Sequence, residues 1–253
     1  MERAKNKNAR RALSATALLA ASLALQPSAV RAGPADKVYL PTVEQGEVEL
    51  EMRGGYQWWR NHDENRARQF VFDVGYGFTS WWASELALSV AGQPGTSTRL
   101  DEIEWENIFA LTEPGKYWAD LGLFVELAHD RAEGRNVIEL GPLIQKEFGR
   151  VQANANLFFE RQLGAHAEPG AEIEYRWQVK WRGNPLFEPG LQGFGTLGRT
   201  NDFGHATEHK IGPAFFGQAP VGGHKLKYDA AVLFGVKSNT PDTTVRFTLE
   251  YEL

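Results

Sequence analysis

The 253-residue chain has no cysteine, which excludes a disulfide framework and thiolate metal centres. Beyond residue 32 no stretch approaches the roughly 18 uncharged apolar residues that a membrane helix requires. No segment carries a capped 3.6-residue apolar stripe either, so helices are not expected. Serine is sparse. Past residue 32 it occurs at Ser80, Ser84, Ser89, Ser97 and Ser238, none in a GxSxG setting or beside a histidine, which offers no nucleophile motif. The 26 glycines include no GxGxxG helix start, so nucleotide binding is not supported.

The N-terminus is different in kind. Arg3, Lys5, Lys7, Arg10 and Arg11 precede an apolar run from Leu13 to Leu25, and Val30-Arg31-Ala32 places small residues at the −3 and −1 positions of a cleavage site. That is the pattern of a secretory signal peptide over residues 1–32. Its six basic residues and one acid, taken from totals of 27 and 32, leave 21 basic and 31 acidic residues. The acidic balance argues against nucleic acid as a partner.

The rest of the chain alternates. Val48, Leu50 and Met52 share one face of a strand pattern, and so do Phe70, Phe72, Val74, Tyr76 and Phe78. Ile103, Trp105, Phe109 and Leu111 oppose Glu102, Glu104 and Glu106; Ile173, Tyr175, Trp177, Val179 and Trp181 oppose Glu172, Glu174, Arg176, Gln178 and Lys180. Side chains on a strand point to opposite faces in turn, so these are half-apolar strands. About twelve are expected, in an all-β protein. Connectors alternate between short ones such as KEFGR (146–150) and longer ones such as QLGAHAEPG (162–170), with GQAPVGGH (217–224) a long connector on the short side.

Two features point the apolar face outward to lipid. The polar face is rich in glycine (Gly75, Gly77, Gly122, Gly141), which suits a curved wall around a confined lumen. Aromatics gather near strand ends, at Trp58-Trp59, Trp81-Trp82, Tyr117-Trp118 and Trp181, as in the girdles at membrane–water boundaries. The expected fold is an antiparallel transmembrane up-and-down β-barrel of about 12 strands over residues 46–253, with a periplasmic segment over 33–45. Phe247, Leu249, Tyr251 and Leu253 alternate to the very end. Such an ending resembles the C-terminal signal that the barrel-assembly machinery reads, with leucine in the terminal aromatic's place.

GLQGFGTLGRTND (190–202), HKIGPAFFG (209–217), GGHKLKYDAAVLFGV (222–236) and the closing TTVRFTLEYEL together resemble the phenol meta-pathway, or transporter-like, outer-membrane β-barrel family. The resemblance is strongest over the last 65 or so residues. It implies an outer-membrane barrel through which small, commonly hydrophobic, compounds pass, and it carries over no catalytic residue.

With the apolar face outside, the lumen collects Glu49, Glu51, Glu102, Glu104, Glu106, Glu172, Glu174 and Arg176 as candidate selectivity residues, with Asp73, Glu85, Glu126, Glu139, Glu160, Asp229, Arg53, Lys210 and Arg246 among the others. Acids outnumber bases by more than two to one, so full pairing is excluded. His62, His129, His166, His205 and His209 fall in long connectors without a specific metal-ligand spacing, and no metal or cofactor is expected. The leading expectation is a passive pore or uptake protein for small solutes in the outer membrane of a Gram-negative bacterium, cation-preferring, with membrane lipid, the assembly machinery and small-molecule or ion solutes as partners. A closed structural or adhesion barrel, its lumen blocked by charged side chains or by the N-terminal segment, is the alternative. A lipid-modifying enzyme is the third reading.

Overall fold

The structure, a computed structural model, describes residues 33–59, 67–93, 95–131, 134–165, 167–205 and 207–253. The leader expected over 1–32 lies outside them, as do His62 and His166. The described residues form strands and no helix: β1 (Val48–Trp58), β2 (Ala67–Gly77), β3 (Trp82–Gly92), β4 (Arg99–Ala110), β5 (Asp120–Asp130), β6 (Arg135–Phe148), β7 (Val151–Leu163), β8 (Glu172–Trp181), β9 (Glu188–Arg199), β10 (Asp202–Phe203), β11 (His209–Val221), β12 (His224–Gly235) and β13 (Thr243–Glu252). Each pairs antiparallel with the next, β10 excepted, and β13 closes on β1 from Glu49↔Glu252 to Trp58↔Thr243. Twelve strands thus complete a barrel. The two-residue β10 only folds back on the end of β9. Closure leaves no unpaired edge, which is the condition for strands to cross hydrocarbon.

The alternation read from the sequence is the alternation of exposure. On β3 Leu86 is 64% exposed while its neighbours Glu85 and Ala87 are buried. Exposed Phe72, Val74, Leu88, Ile103, Trp105, Leu127 and Leu140 continue an apolar belt around the outside, far more than scattered surface residues would give. The aromatic rings crowd one end of the barrel: Trp81, Tyr117, Trp118 (73% exposed), Phe148, Trp181 and Phe187 flank the connectors there. One polar residue on the belt, Asn107, is buried and accepts a hydrogen bond from Trp82 Nε1 at 3.1 Å.

Connector lengths differ less between the two ends than the sequence suggests. The turn between β11 and β12 is the tight pair Gly222-Gly223, with φ of 62° and 90°. The stretch 217–224 is therefore mostly strand, because two adjacent glycines supply the left-handed pair that a two-residue hairpin demands. Conversely, the β4–β5 connection runs over nine residues, 111–119, taking in Tyr117 and Trp118.

The segment 33–45, expected in the periplasm, runs through the inside of the barrel instead. Gly33 lies near the β2 residue Gln69, at the end with the β1–β2 loop. Glu44 lies against Gly77 at the other end, where Gly46 N–H donates to the Gly77 carbonyl at 2.8 Å. The reason is apolar content: Ala35, Val38, Tyr39 and Val43 find inward-facing apolar partners on the walls, and leaving such side chains in water forfeits their burial. Pro34 and Pro41 lack an amide donor, which disfavours pairing as a thirteenth wall strand. Residues 33–45 thus form a strap through the lumen.

Candidate functional site: the barrel lumen

The inward glycines that suggested a curved wall have a more local role at two positions. A Cβ on Gly77 would sit 2.0 Å from the Glu44 carbonyl oxygen, and one on Gly122 would sit 2.9 Å from Pro41 Cα. Both make room for the strap. Farther up, Tyr39 is 3% exposed and packs with Ile108, Phe124, Leu143 and Phe158. Its ring centroid lies 4.2 Å from that of Phe124 and meets Phe158 edge-on at 5.9 Å. Asn156 holds the same residue by its backbone, accepting from Tyr39 N–H at 2.8 Å and donating to its carbonyl at 2.9 Å. Lys37 reaches the opposite wall, 3.3 Å from Glu51 and 3.2 Å from Glu85.

The wall cations are few and heavily shared. Arg53, 4% exposed, lies 2.8 Å from Glu51, 2.7 Å from Asp73, 3.5 Å from Glu104 and 3.1 Å from Glu106. Arg176 pairs with Glu139 at 3.2 Å and Glu174 at 3.0 Å. Arg246 pairs with Asp229 at 2.6 Å and donates to Gln192 at 2.7 Å. A guanidinium offers five donors in a fixed fork, so one arginine can hold several carboxylates at once.

Of the candidate selectivity residues, Glu51, Glu104, Glu106, Glu174 and Arg176 are therefore ion-paired. Glu172 lies 3.6 Å from Arg199, and Glu49 lies 3.9 Å from Lys227. Glu102 has no ion pair among the described residues. The structure adds an order that the sequence did not reveal. Glu85, Glu106, Glu126, Glu139, Glu160 and Glu172 stand directly opposite one another, strand to strand, from β3 to β8. Among the described residues no ion pair reaches Glu126 or Glu160. Like charges placed directly opposite are destabilising, so this row is an electrostatic cost that the fold carries. Two groups along it, Glu104-Glu106-Glu126 and Glu139-Glu160-Glu174, bring carboxylate oxygens within 4.8 Å of one another. Each group has an arginine already bonded into it.

Towards the aromatic-rich end the lumen keeps open space, a cavity of about 500 Å³ beside the strap. Gln145, Gln152, Gln178, Gln192, Lys180 and Glu188 line it, with Glu47, Arg182 and Lys225 at its rim. Its amides are mutually bonded: Gln152 and Asn154 both donate to Gln145 Oε1 at 2.9 Å, and Gln178 donates to Asn154. The alternation placed Gln178 on the polar face, but Gln145, Gln152, Asn154 and Gln192 were missed as inward residues, since uncharged positions carry no charge signal.

Among the described residues the histidines gather no ligand set, and two of those expected in connectors, His129 and His209, lie on β5 and β11. His129 contacts Asn136, His205 contacts Asp202, and His209 contacts the Tyr175 hydroxyl at 2.8 Å.

No protein-family model matches the chain, and no curated protein matches it. The likeness of the final third to the phenol meta-pathway family thus remains a resemblance. Among solved structures, the NanC porin is similar over 81% of this chain and all of its own, at 13% identity and a TM-score of 0.57. At that identity the likeness shows the fold. The Acinetobacter baumannii outer membrane protein Omp33 (10% identity, 83% of this chain and 99% of its own, TM-score 0.46) and the outer membrane phospholipase A of Escherichia coli (11%, 86% and 91%, TM-score 0.42) also match, more distantly.

Proposed function

We propose that the protein is a narrow outer-membrane channel for small solutes, with a preference for cations. The observation that carries this reading is the contrast between the two faces of one wall. An apolar belt faces outward, and a charged, amide-lined interior faces a cavity of about 500 Å³. A sealed structural barrel has no need of such an interior, whereas a water-filled passage does. Cation preference follows from Glu126, Glu160 and Glu102, which lack ion-paired partners among the described residues. Unpaired carboxylates in a confined aqueous wall focus a negative potential. On this reading the end bearing the two-residue hairpins faces the periplasm, in keeping with short periplasmic turns. Phe247, Leu249 and Tyr251 of β13, with Leu253 after it, carry the assembly signal on this reading, Leu249 and Leu253 being exposed. The small, commonly hydrophobic, compounds implied by the family resemblance are candidate solutes. The test is purified, heat-modifiable protein in a planar bilayer and in solute-loaded liposomes. Discrete conductance and solute efflux support a channel. A barrel that seals both membranes, with lipid turnover in its place, would favour the enzyme reading.

A further inference from the structure

The strap occupies the path that a channel must keep clear. From Gly33 to Glu44 it touches three sides of the lumen: β2 and β3 through Ala35 and Lys37, β5 to β7 through Tyr39, and β9 to β12 through Val38. Its manner of attachment is unlike that of a wall element. Among the described residues, 33–43 make no backbone–backbone hydrogen bond to the barrel. They are held by the Asn156 clamp on Tyr39, by Lys37 on Glu51 and Glu85, and by Lys210 Nζ donating to the Gly33 carbonyl at 2.8 Å.

The wall, for its part, is complete without the strap. Its twelve strands close on one another, and Arg53, Arg176 and Arg246 find their carboxylates on the wall itself. Loss of Lys37 would leave Glu51 still paired with Arg53. At the other end the strap joins β1 through Gly46, at φ 86°, a backbone conformation that glycine adopts without strain. That residue is placed to serve as a hinge at the rim.

We propose that residues 33–43 are a displaceable plug, closing the lumen while seated and opening it when the strap withdraws past Gly46. The proposal rests on the channel reading above. Segments held by side chains alone, with no strand ladder, are drawn from the low-stability end of a fold. A seated and a withdrawn state then exchange, and a change that disfavours only the seated state shifts the population.

A chain without cysteine allows a direct test. A Cβ on Gly122 would lie 2.9 Å from Pro41 Cβ, close enough for a Pro41→Cys, Gly122→Cys pair to bridge after a shift of under about 1 Å. In a planar bilayer, the oxidised pair should be silent and regain wild-type openings on reduction. Asn156→Ala should raise open probability about fivefold or more. It strands the Tyr39 amide and carbonyl in the seated state only, and the withdrawn strap finds water. Both variants must first show heat-modifiable migration as folded barrels. An oxidised pair that conducts like the wild type overturns the plug and leaves the channel reading standing. Silence of both wild type and Asn156→Ala at every voltage overturns the channel reading and the plug with it.

Discussion

Glu126 stands directly opposite Glu139 across the β5–β6 ladder, and among the described residues only Glu139 of the two has an arginine. The unpaired member of such a couple is the one free to act on a passing ion. Changing Glu126 and Glu160 to Gln should therefore lower the cation preference, measured as the reversal potential under a KCl gradient. The same change should raise thermal stability by about 0.2–1 kcal/mol for each opposed pair relieved. The preference should fade in 1 M salt, where the Debye length is about 3 Å. An unchanged reversal potential in the double variant would place the selectivity elsewhere.

The two faces of the wall were legible in the sequence, because a period of two fixes which side each residue takes once the strand is recognised. Glu102, Glu104, Glu106, Glu172 and Glu174 were assigned inward on that ground alone, and they are inward. Their cross-strand order was not legible. The Glu106↔Glu126 register depends on the length of the 111–119 connection, which alternation along a single strand does not report. The strap was also misplaced, although it carried a signal: Val38, Tyr39, Leu40 and Val43 within six residues are too apolar for a segment lying in water. What concealed it was the absence of alternation, which marks strands and is silent about an irregular chain buried inside them.

Arg53 is the charge on which the β1–β4 side of the lumen depends. Replacing it by Met leaves Glu51, Asp73, Glu104 and Glu106 around an empty centre. The cost of an uncompensated buried charge is about 3–5 kcal/mol. Urea unfolding in detergent micelles should show a loss of that order for Arg53→Met. Arg53→Lys should recover part of it, since a point ammonium cannot span four carboxylates as a fork does.

Phe247 and Tyr251 face outward on the strand that closes the barrel, opposite Gly54 and Leu50 of β1. Changing both to Asp puts charge on the lipid side of the seam, at about 1–2 kcal/mol each depending on depth. It also removes the alternating ending. The double variant is expected to accumulate as protease-sensitive, non-heat-modifiable chain. Wild-type amounts of folded barrel would mean that neither the seam nor the ending requires those rings.

The turn that carries the strap into β1 responds to pH. The Glu47 carboxyl is pushed up to about 8 by its partial burial, by a hydrogen bond with Glu44, and by the charges of Glu252 and Glu44, with Lys227 opposing. In the unfolded chain the same group titrates near 4.3. Between those values the folded state holds a proton that the unfolded state has released. The contribution to stability is thus complete below about 4.3 and is lost as pH rises through about 8. Because the bonded partner is Glu44, at the end of the strap, the loss falls on the hinge that the strap swings from. The melting temperature of the wild type should accordingly drop between pH 5 and pH 9 relative to Glu47→Gln, whose amide does not titrate. Glu49, Glu250, Glu252, Lys225 and Lys227 face the same rim and are present in both proteins, so the difference between the two profiles isolates Glu47. Parallel profiles would show that the Glu44–Glu47 bond does not hold the hinge.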